Sequence, residues 1–400
     1  MKQLFIFSLA LCLAAAAIAG EIETASPTPA PRFTISGWID GGITFNLDTP
    51  RDNQNFGRLF DDRANEPLLN QAVINFERVL AAQPGEFDWG FKAQFMFGSD
   101  ARYIHSLGLL DSVMKTSLYQ PDIVEAYVSL HLSLLTERGV DVKLGKWVTL
   151  EGAETIDPRT NVFYSHTYIF NFGIPFNHTG ALFTVHTTNW LDLMAGVTRG
   201  VNTSVEDNND SPAFDGGVGL NLNEGKLVVS ASTHIGPETP NNNSALRYLN
   251  DITVTWKIRD KLTSITDMNY ARDDLANADG FGVAQYFTYA ITDKVTAKIR
   301  GEIWRDDKGF FVAQFADPHD PVRALDGEAT IDPRTIGGGR TTYGALTVGL
   351  DIKPAVPKPL TGLTIRPELR VDHSLNGTRS FNDSKDQTLF TAAVDAIITF

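Results

Sequence analysis

The sequence predicts an all-β chain, a transmembrane antiparallel up-and-down β-barrel of about sixteen strands. Three observations predict it. Apolar residues recur at every second position over runs of about 10–15 residues, well beyond the usual length of a soluble strand. The polar faces of those runs carry full charges. Long and tight connections then alternate along the chain, as they do in a barrel whose loops lie on one rim and whose turns lie on the other.

The first segment is read as an address. Residues 1–19 (MKQLFIFSLALCLAAAAIA) place Lys2 before an apolar stretch that ends in the small-residue pattern Ala17-Ile18-Ala19. This predicts a cleaved signal peptide and export. Cys12, the one cysteine, lies inside the apolar stretch, so the mature chain has none. Residues 20–31 (GEIETASPTPAP) read as a Pro-rich flexible leader, and residues 32–400 as the barrel.

Residues 33–47 set Phe33, Ile35, Gly37, Ile39, Gly41, Ile43, Phe45 and Leu47 against Thr34, Ser36, Trp38, Asp40, Gly42, Thr44 and Asn46. The same alternation returns in residues 87–97, 124–134, 363–371 and 390–400. In the second of these, Val124, Ala126 and Val128 fall on the apolar face and Glu125 and Tyr127 on the polar one. Pro367 lies inside a run and removes a ladder donor, so a local bulge or missing bond is expected there. The apolar face is mixed in residues 262–271 and 282–291, and fourteen strands fit the pattern if these two are not strands.

The connections expected on the outer rim are 48–67, 99–121, 148–175, 202–211, 237–247, 272–279, 306–340 and 373–387. Those on the other rim are tight, such as 137–138, 223–225 and 292–293, apart from the Pro-rich 353–361. Backbone groups in lipid must all be paired within the protein, so the sheet is expected to close on itself. Closure at about sixteen strands leaves a lumen too wide for side chains to fill. Asp40, Glu77, Asp88, Lys92, Glu125, Asp141, Lys143, Asp215, Asp251, Lys257, Lys298, Arg300, Glu302, Arg366, Glu368, Arg370, Asp372 and Asp395 fall on the inward face. Unpaired charge is costly away from water, and the pattern implies a wet channel unless loops plug it. Trp38 and Trp304 fall inward. Trp89 and Trp256 fall outward near strand ends, where interfacial aromatics sit.

Lys+Arg 34 against Asp+Glu 48, a net charge of -14, argues against nucleic acid or an anionic membrane surface as a partner. Past the first twenty residues no apolar run is long enough for a membrane-spanning helix. A lone cysteine excludes a disulfide framework and multi-cysteine metal sites. The histidines show no sequence spacing of a metal motif, and no phosphate-binding glycine loop occurs. No metal, no cofactor and no enzymatic activity are expected. His131 and Ser133 lie two apart but lack the third group that nucleophilic chemistry needs, and the acids of 206–210 (EDNND) read as a solvated loop rather than a Ca²⁺ site.

Residues 143–180 (KLGKWVTLEGAETIDPRTNVFYSHTYIFNFGIPFNHTG) carry Gly145, Glu151-Gly152, Phe163-Tyr164-Ser165-His166, Pro175 and His178-Thr179-Gly180. Together with 89–100 (WGFKAQFMFGSD) and 300–309 (RGEIWRDDKG), they resemble the OmpL-like β-barrel porin family of Gram-negative envelopes. The resemblance implies an outer-membrane channel for passive diffusion of small hydrophilic solutes, without catalytic residues. The alternative is a plugged barrel acting as an adhesin or envelope anchor. By the same resemblance the third long loop, 148–175, folds inward and brings Glu151, Glu154 and Asp157 to a constriction. Phe400 is similar to the terminal aromatic read by outer-membrane assembly machinery. Lipid, solutes and that machinery are the partners implied, and porins of this size commonly form homo-oligomers.

Lys298, Arg300, Glu302, Arg366, Glu368 and Arg370 are the pore-lining candidates. Opposed to the loop acids they would set up a transverse field; paired with near neighbours they would only wet the wall. A repeated element, EGAETIDPRT at 151–160 and DGEATIDPRT at 326–335, sits in two long loops. Its Asp-Pro step favours a turn in which the Arg pairs with the Asp.

Overall fold

The period-two segments become strands whose apolar side chains face outward. The computed structural model describes residues 33–81, 85–113, 117–328 and 336–400. The signal segment, the leader and most of the second repeat element lie outside them. The strands are β1 (Phe33–Asn46), β2 (Pro67–Arg78), β3 (Asp88–Gly98), β4 (Gln120–Leu132), β5 (Val140–Val148), β6 (Asn177–His186), β7 (Leu191–Thr198), β8 (Ala213–Leu222) and β9 (Leu227–Pro237). They continue as β10 (Leu246–Arg259), β11 (Leu262–Asp273), β12 (Ala278–Thr292), β13 (Val295–Asp306), β14 (Ala313–Gln314), β15 (Ile336–Gly337), β16 (Thr341–Ile352), β17 (Gly362–Ser374) and β18 (Thr388–Thr399). β14 and β15 form a small ribbon in a loop. The other sixteen make one closed barrel in which sequence neighbours pair and β1 pairs with β18. The mixed segments within 262–273 and 278–292 are both strands, which decides the count at sixteen.

Closure satisfies the ladder at the seam. Gly37 and Phe400 exchange both backbone bonds at 3.0 Å, and register then runs from Trp38↔Thr399 to Asn46↔Thr391. The outer surface is apolar along its length, with Ile35, Ile39, Phe95, Val128, Leu144, Phe183, Val283, Ile299, Val348 and Leu369 all exposed. A continuous apolar band of this kind is stable only against lipid. Phe33, Trp89, Trp190, Trp256 and Tyr289 mark one rim. Phe45, Phe97, Phe214, Tyr270, Phe281 and Phe390 mark the other.

Two local departures have physical causes. Gln94 pairs with Glu125 but Phe95 pairs with Ile123, so Val124 is an extra residue in a bulge. The bulge turns Val124 inward, where it is fully buried, correcting its expected place on the outer face. At Pro367 the β16 ladder passes from Gly349↔Glu368 to Ile352↔Ile365 with no pairs between, while pairing to β18 is unbroken. The strand therefore continues past a local gap that the missing N–H explains.

The long connections all leave the same rim, and the tight ones leave the rim that carries both strand termini, 33 and 399. The long loops do not all stay outside, and Tyr103, Ile104, Val312 and Phe381 of three of them join the buried core. Residues 48–66 and 149–176 descend into the lumen and bring their apolar side chains with them. Phe56, Phe60, Phe163, Tyr168, Phe170 and Phe176 form a buried cluster with the inward Trp38, Trp304 and Tyr343. The core of this molecule is thus inside the barrel, at the level of the loops.

Candidate channel constriction

The loop 149–176 closes at its neck, where the Thr149 N–H donates to the Phe176 carbonyl at 2.9 Å. Gly152 follows at φ +89, with Ile174 packed where a Cβ would stand. Only glycine takes this backbone without strain and leaves that space. From there the chain crosses the lumen to the far wall.

Glu154 is met there by Arg300 on β13. Its carboxylate accepts from Arg300 Nη1 at 2.7 Å, the Thr167 N–H at 2.8 Å, and the Tyr286 and Thr167 hydroxyls at 3.1 Å. Burial alone would raise its pKa; the Arg300 guanidinium and these donors overcome that and hold it below the usual range. Asp157 lies at the bend, bound to Arg159 at 2.6 Å, so the expected Asp–Arg pairing holds in this repeat element. The Arg159 guanidinium in turn covers the Trp38 ring at 3.9 Å.

The basic wall residues hold the main chain of the loop. Arg300 Nη1 donates to the Ser165 carbonyl at 2.7 Å. Arg366 Nη1 donates to Pro158 and Asn161 at 2.8 and 3.0 Å. Arg370 donates to His166 at 2.5 Å, and Lys298 donates to Val162. The acidic wall residues do the reverse: Glu368 accepts the Tyr164 N–H at 2.9 Å, and Glu302 the Ile169 N–H at 3.3 Å. All six pore-lining candidates do face the lumen. They meet the loop rather than open water, which corrects the expectation that they stay solvated. Their charges are also paired, as Arg366–Asp395 at 2.5 Å, Arg370–Asp372 at 2.6 Å and Lys298–Asp351 at 2.5 Å.

Glu151 sits apart, near the neck, facing β9 to β11. One of its carboxylate oxygens is buried without a hydrogen bond. Burial pushes the Glu151 carboxyl up to about 8, with Asp215 and Asp267 adding to the rise and His234 opposing it. The three constriction-loop candidates therefore divide: Glu154 is an anchored anion, Asp157 belongs to a turn, and Glu151 is a buried acid.

Sequence reasoning missed the second inward loop. Arg58 binds Asp61 and Asp372, both at 2.6 Å, and Tyr168 donates to the other Asp372 oxygen at 3.1 Å. Arg102 beside the same loop makes a two-pronged bond to Asp62 at 2.9 and 3.1 Å. The available signal was Phe56, Leu59 and Phe60 in a connection otherwise rich in charge. His131 points at Asp141 and the Ser133 hydroxyl donates to Glu86, so they are not arranged as base and nucleophile. In the 206–210 loop Asp207 lies 3.7 Å from Arg199.

Past the loop, the inward arc of β8 to β10 carries the small or uncharged Gly219, Asn221, Ser230, Thr253 and Thr255, all half-buried, and then the exposed Lys257 beside the short turn.

The family model described as "Putative beta-barrel porin-2, OmpL-like" matches residues 32–400. A search of curated protein sequences returned no match. Among solved structures, OmpF of Salmonella typhi in complex with daunomycin is similar at TM-score 0.57 and 10% identity, over 92% of this chain and 97% of that one. An anion-selective porin of Comamonas acidovorans gives 0.56 and 10%, over 92% and 99%. A trimer form of OmpT, an outer membrane protein of Vibrio cholerae, gives 0.50 and 10%, over 92% and 99%. These likenesses are of fold.

Proposed function

This chain belongs to the OmpL-like β-barrel porin family, and from that premise we propose that its passive route is narrowed by the loop 149–176 and runs along the small-residue arc of β8 to β10. As an outer-membrane porin it carries small hydrophilic solutes by diffusion, and family and fold are those of a channel rather than an enzyme. One observation carries the reading of the loop. Arg300, Arg366 and Arg370 each spend guanidinium donors on its carbonyl groups, so the wall positions the loop instead of presenting bare charge to solutes. In this reading Glu154 locks the loop, and Glu151 faces the open side.

The crossing of the lumen by two loops also favours the plugged-barrel reading, and one experiment separates the two. Refolded protein in liposomes is expected to admit the smallest sugars slowly. The Arg300→Gln, Arg366→Gln, Arg370→Gln triple variant is expected to admit larger ones faster, since about four backbone acceptors lose charge-assisted donors. No swelling with any sugar in the native protein would favour the plug, and equal rates in both proteins would reject the loop as constriction. Like the trimer form of the Vibrio cholerae protein, this chain is proposed to assemble as a homo-oligomer. Phe400, exposed to lipid at the seam, is proposed as the residue that the assembly machinery engages.

A further inference from the structure

Away from the constriction, four neighbouring strands bring titratable side chains together on the inward face beside the short turns. His131 on β4 stands in register with Asp141 on β5, and His186 on β6 with Asp192 on β7. No spacing in the sequence links them, because the barrel rather than a local motif makes them neighbours. His131 Nδ1 lies 2.6 Å from Asp141 Oδ1, and His186 Nε2 lies 3.3 Å from Asp141 Oδ2. One carboxylate is thus shared by two imidazoles. One nitrogen of each ring and a carboxylate oxygen all lie within 4.8 Å of one another.

We propose that His131, Asp141 and His186 form a binding site for a divalent transition-metal ion of the zinc type. Two imidazole nitrogens and one carboxylate oxygen, with a fourth position left for water, are a donor set that suits Zn²⁺. The ion would take the place of the protons that now bridge the rings to Asp141. Asp192 is the positioning residue. Its carboxylate lies 2.8 Å from His186 Nδ1, so it accepts the Nδ1–H, as the usual outer partner of a ligating histidine does, and would hold the ring with Nε2 free to ligate once the ion has displaced the proton shared with Asp141. Gly139 makes room for the other ring: at φ +79 it turns the chain, and a Cβ there would stand 2.7 Å from His131 Nε2. The side chains of Asp141 and His186 remain 32% and 25% exposed, so the group opens to the lumen at the periplasmic mouth.

The other histidine group in the described residues provides the contrast. His178, Asp215 and His234 are all buried, and His234 already has a carboxylate on each ring nitrogen, Asp215 and Glu238, both at 2.6 Å. All three are buried, so that group has no open side, and both nitrogens of His234 are already taken.

The test uses full-length mature protein refolded in detergent, stripped with chelator, and titrated with Zn²⁺ by calorimetry and with Co²⁺ by visible absorption. One ion per chain is expected, with a Co²⁺ spectrum of mixed nitrogen and oxygen ligation. His186→Ala and His131→Ala are expected to abolish saturable binding. Asp192→Asn, which keeps a hydrogen-bonding partner and the fold, is expected to weaken it about tenfold. His234→Ala is expected to leave it unchanged. Zn²⁺ should also raise the temperature at which the folded band is lost on a gel, in the native protein and not in His186→Ala. Absence of saturable binding to the native protein, binding unaffected by His186→Ala, or binding lost in His234→Ala would each overturn the assignment. None of these readouts needs solute to pass, so they do not depend on the channel reading.

Discussion

Asp372 concentrates the electrostatics of the constriction. It accepts from Arg58, Arg370 and Tyr168 while fully buried. Asp372→Ala would leave two guanidiniums close together in a dry site, with Asp61 and Glu302 as their remaining acids. Breaking a buried pair in this way costs about 3–5 kcal/mol. The expected result is a fall in the urea midpoint of the refolded barrel, smaller for Asp372→Asn, which keeps an acceptor oxygen. Glu151 gives the pH dependence. Its carboxyl is raised from an ordinary 4.5 to about 8 in the seated loop, so the seated form binds the proton more tightly than the released form. Its contribution to seating is complete below about pH 4.5 and is lost as pH rises through about 8. Proteolysis within the loop should therefore quicken between pH 5 and about 8.5, and the rise should be smaller in Glu151→Gln. An equal rise in that variant would place the titrating group elsewhere.

Gly37 decides whether the first and last strands can meet. The Phe400 ring lies over it, 2.5 Å from where a Cβ would stand, and the Val73 carbonyl oxygen lies at 2.4 Å. The ring could move, but a carbonyl in the β1–β2 ladder cannot. Gly37→Leu is expected to lower the yield of the heat-modifiable folded species several-fold, whereas the same change at Gly301, where a Cβ meets nothing, should not. Comparable yields for both would show that the seam tolerates a side chain. Elements of this kind were legible in the sequence as far as side-chain direction goes. Period two assigned Trp38, Asp40, Arg300, Arg366 and Arg370 inward and Ile39 and Trp89 outward. It failed at Val124, because a bulge breaks the period without leaving a mark in composition. It was also silent on what fills the lumen. The bonds from Arg366 to Pro158 and from Arg58 to Asp372 join residues 208 and 314 positions apart, and alternation within a strand carries no information about partners at that distance. The grouping of His131, Asp141 and His186 was hidden for the same reason, since strand register and not spacing brings them together.

The whole molecule has two solvents, lipid outside and water at both mouths, and its loops decide how much water enters between. Removing residues 153–172 and joining the neck with a short Gly-Ser linker would keep the Thr149–Phe176 closure and every strand. It would uncover Lys298, Arg300, Arg366 and Arg370, but also Glu302, Glu368, Asp372 and Asp395, which face them, and Asp215, Asp251 and Asp267 across the lumen. Acids then exceed bases on the wall, in line with the net charge of -14. A lumen lined with excess negative charge concentrates cations. The deleted form is therefore expected to conduct several-fold more than the native channel and to give a cation-selective reversal potential in a KCl gradient. That selectivity should shrink as salt rises from about 0.1 M to 1 M, because the screening length falls from about 10 Å to 3 Å. Conductance unchanged by the deletion would mean that the loop 149–176 does not limit flow. Anion selectivity would mean that the basic residues of β13 and β17, once freed from the loop carbonyls, dominate the field.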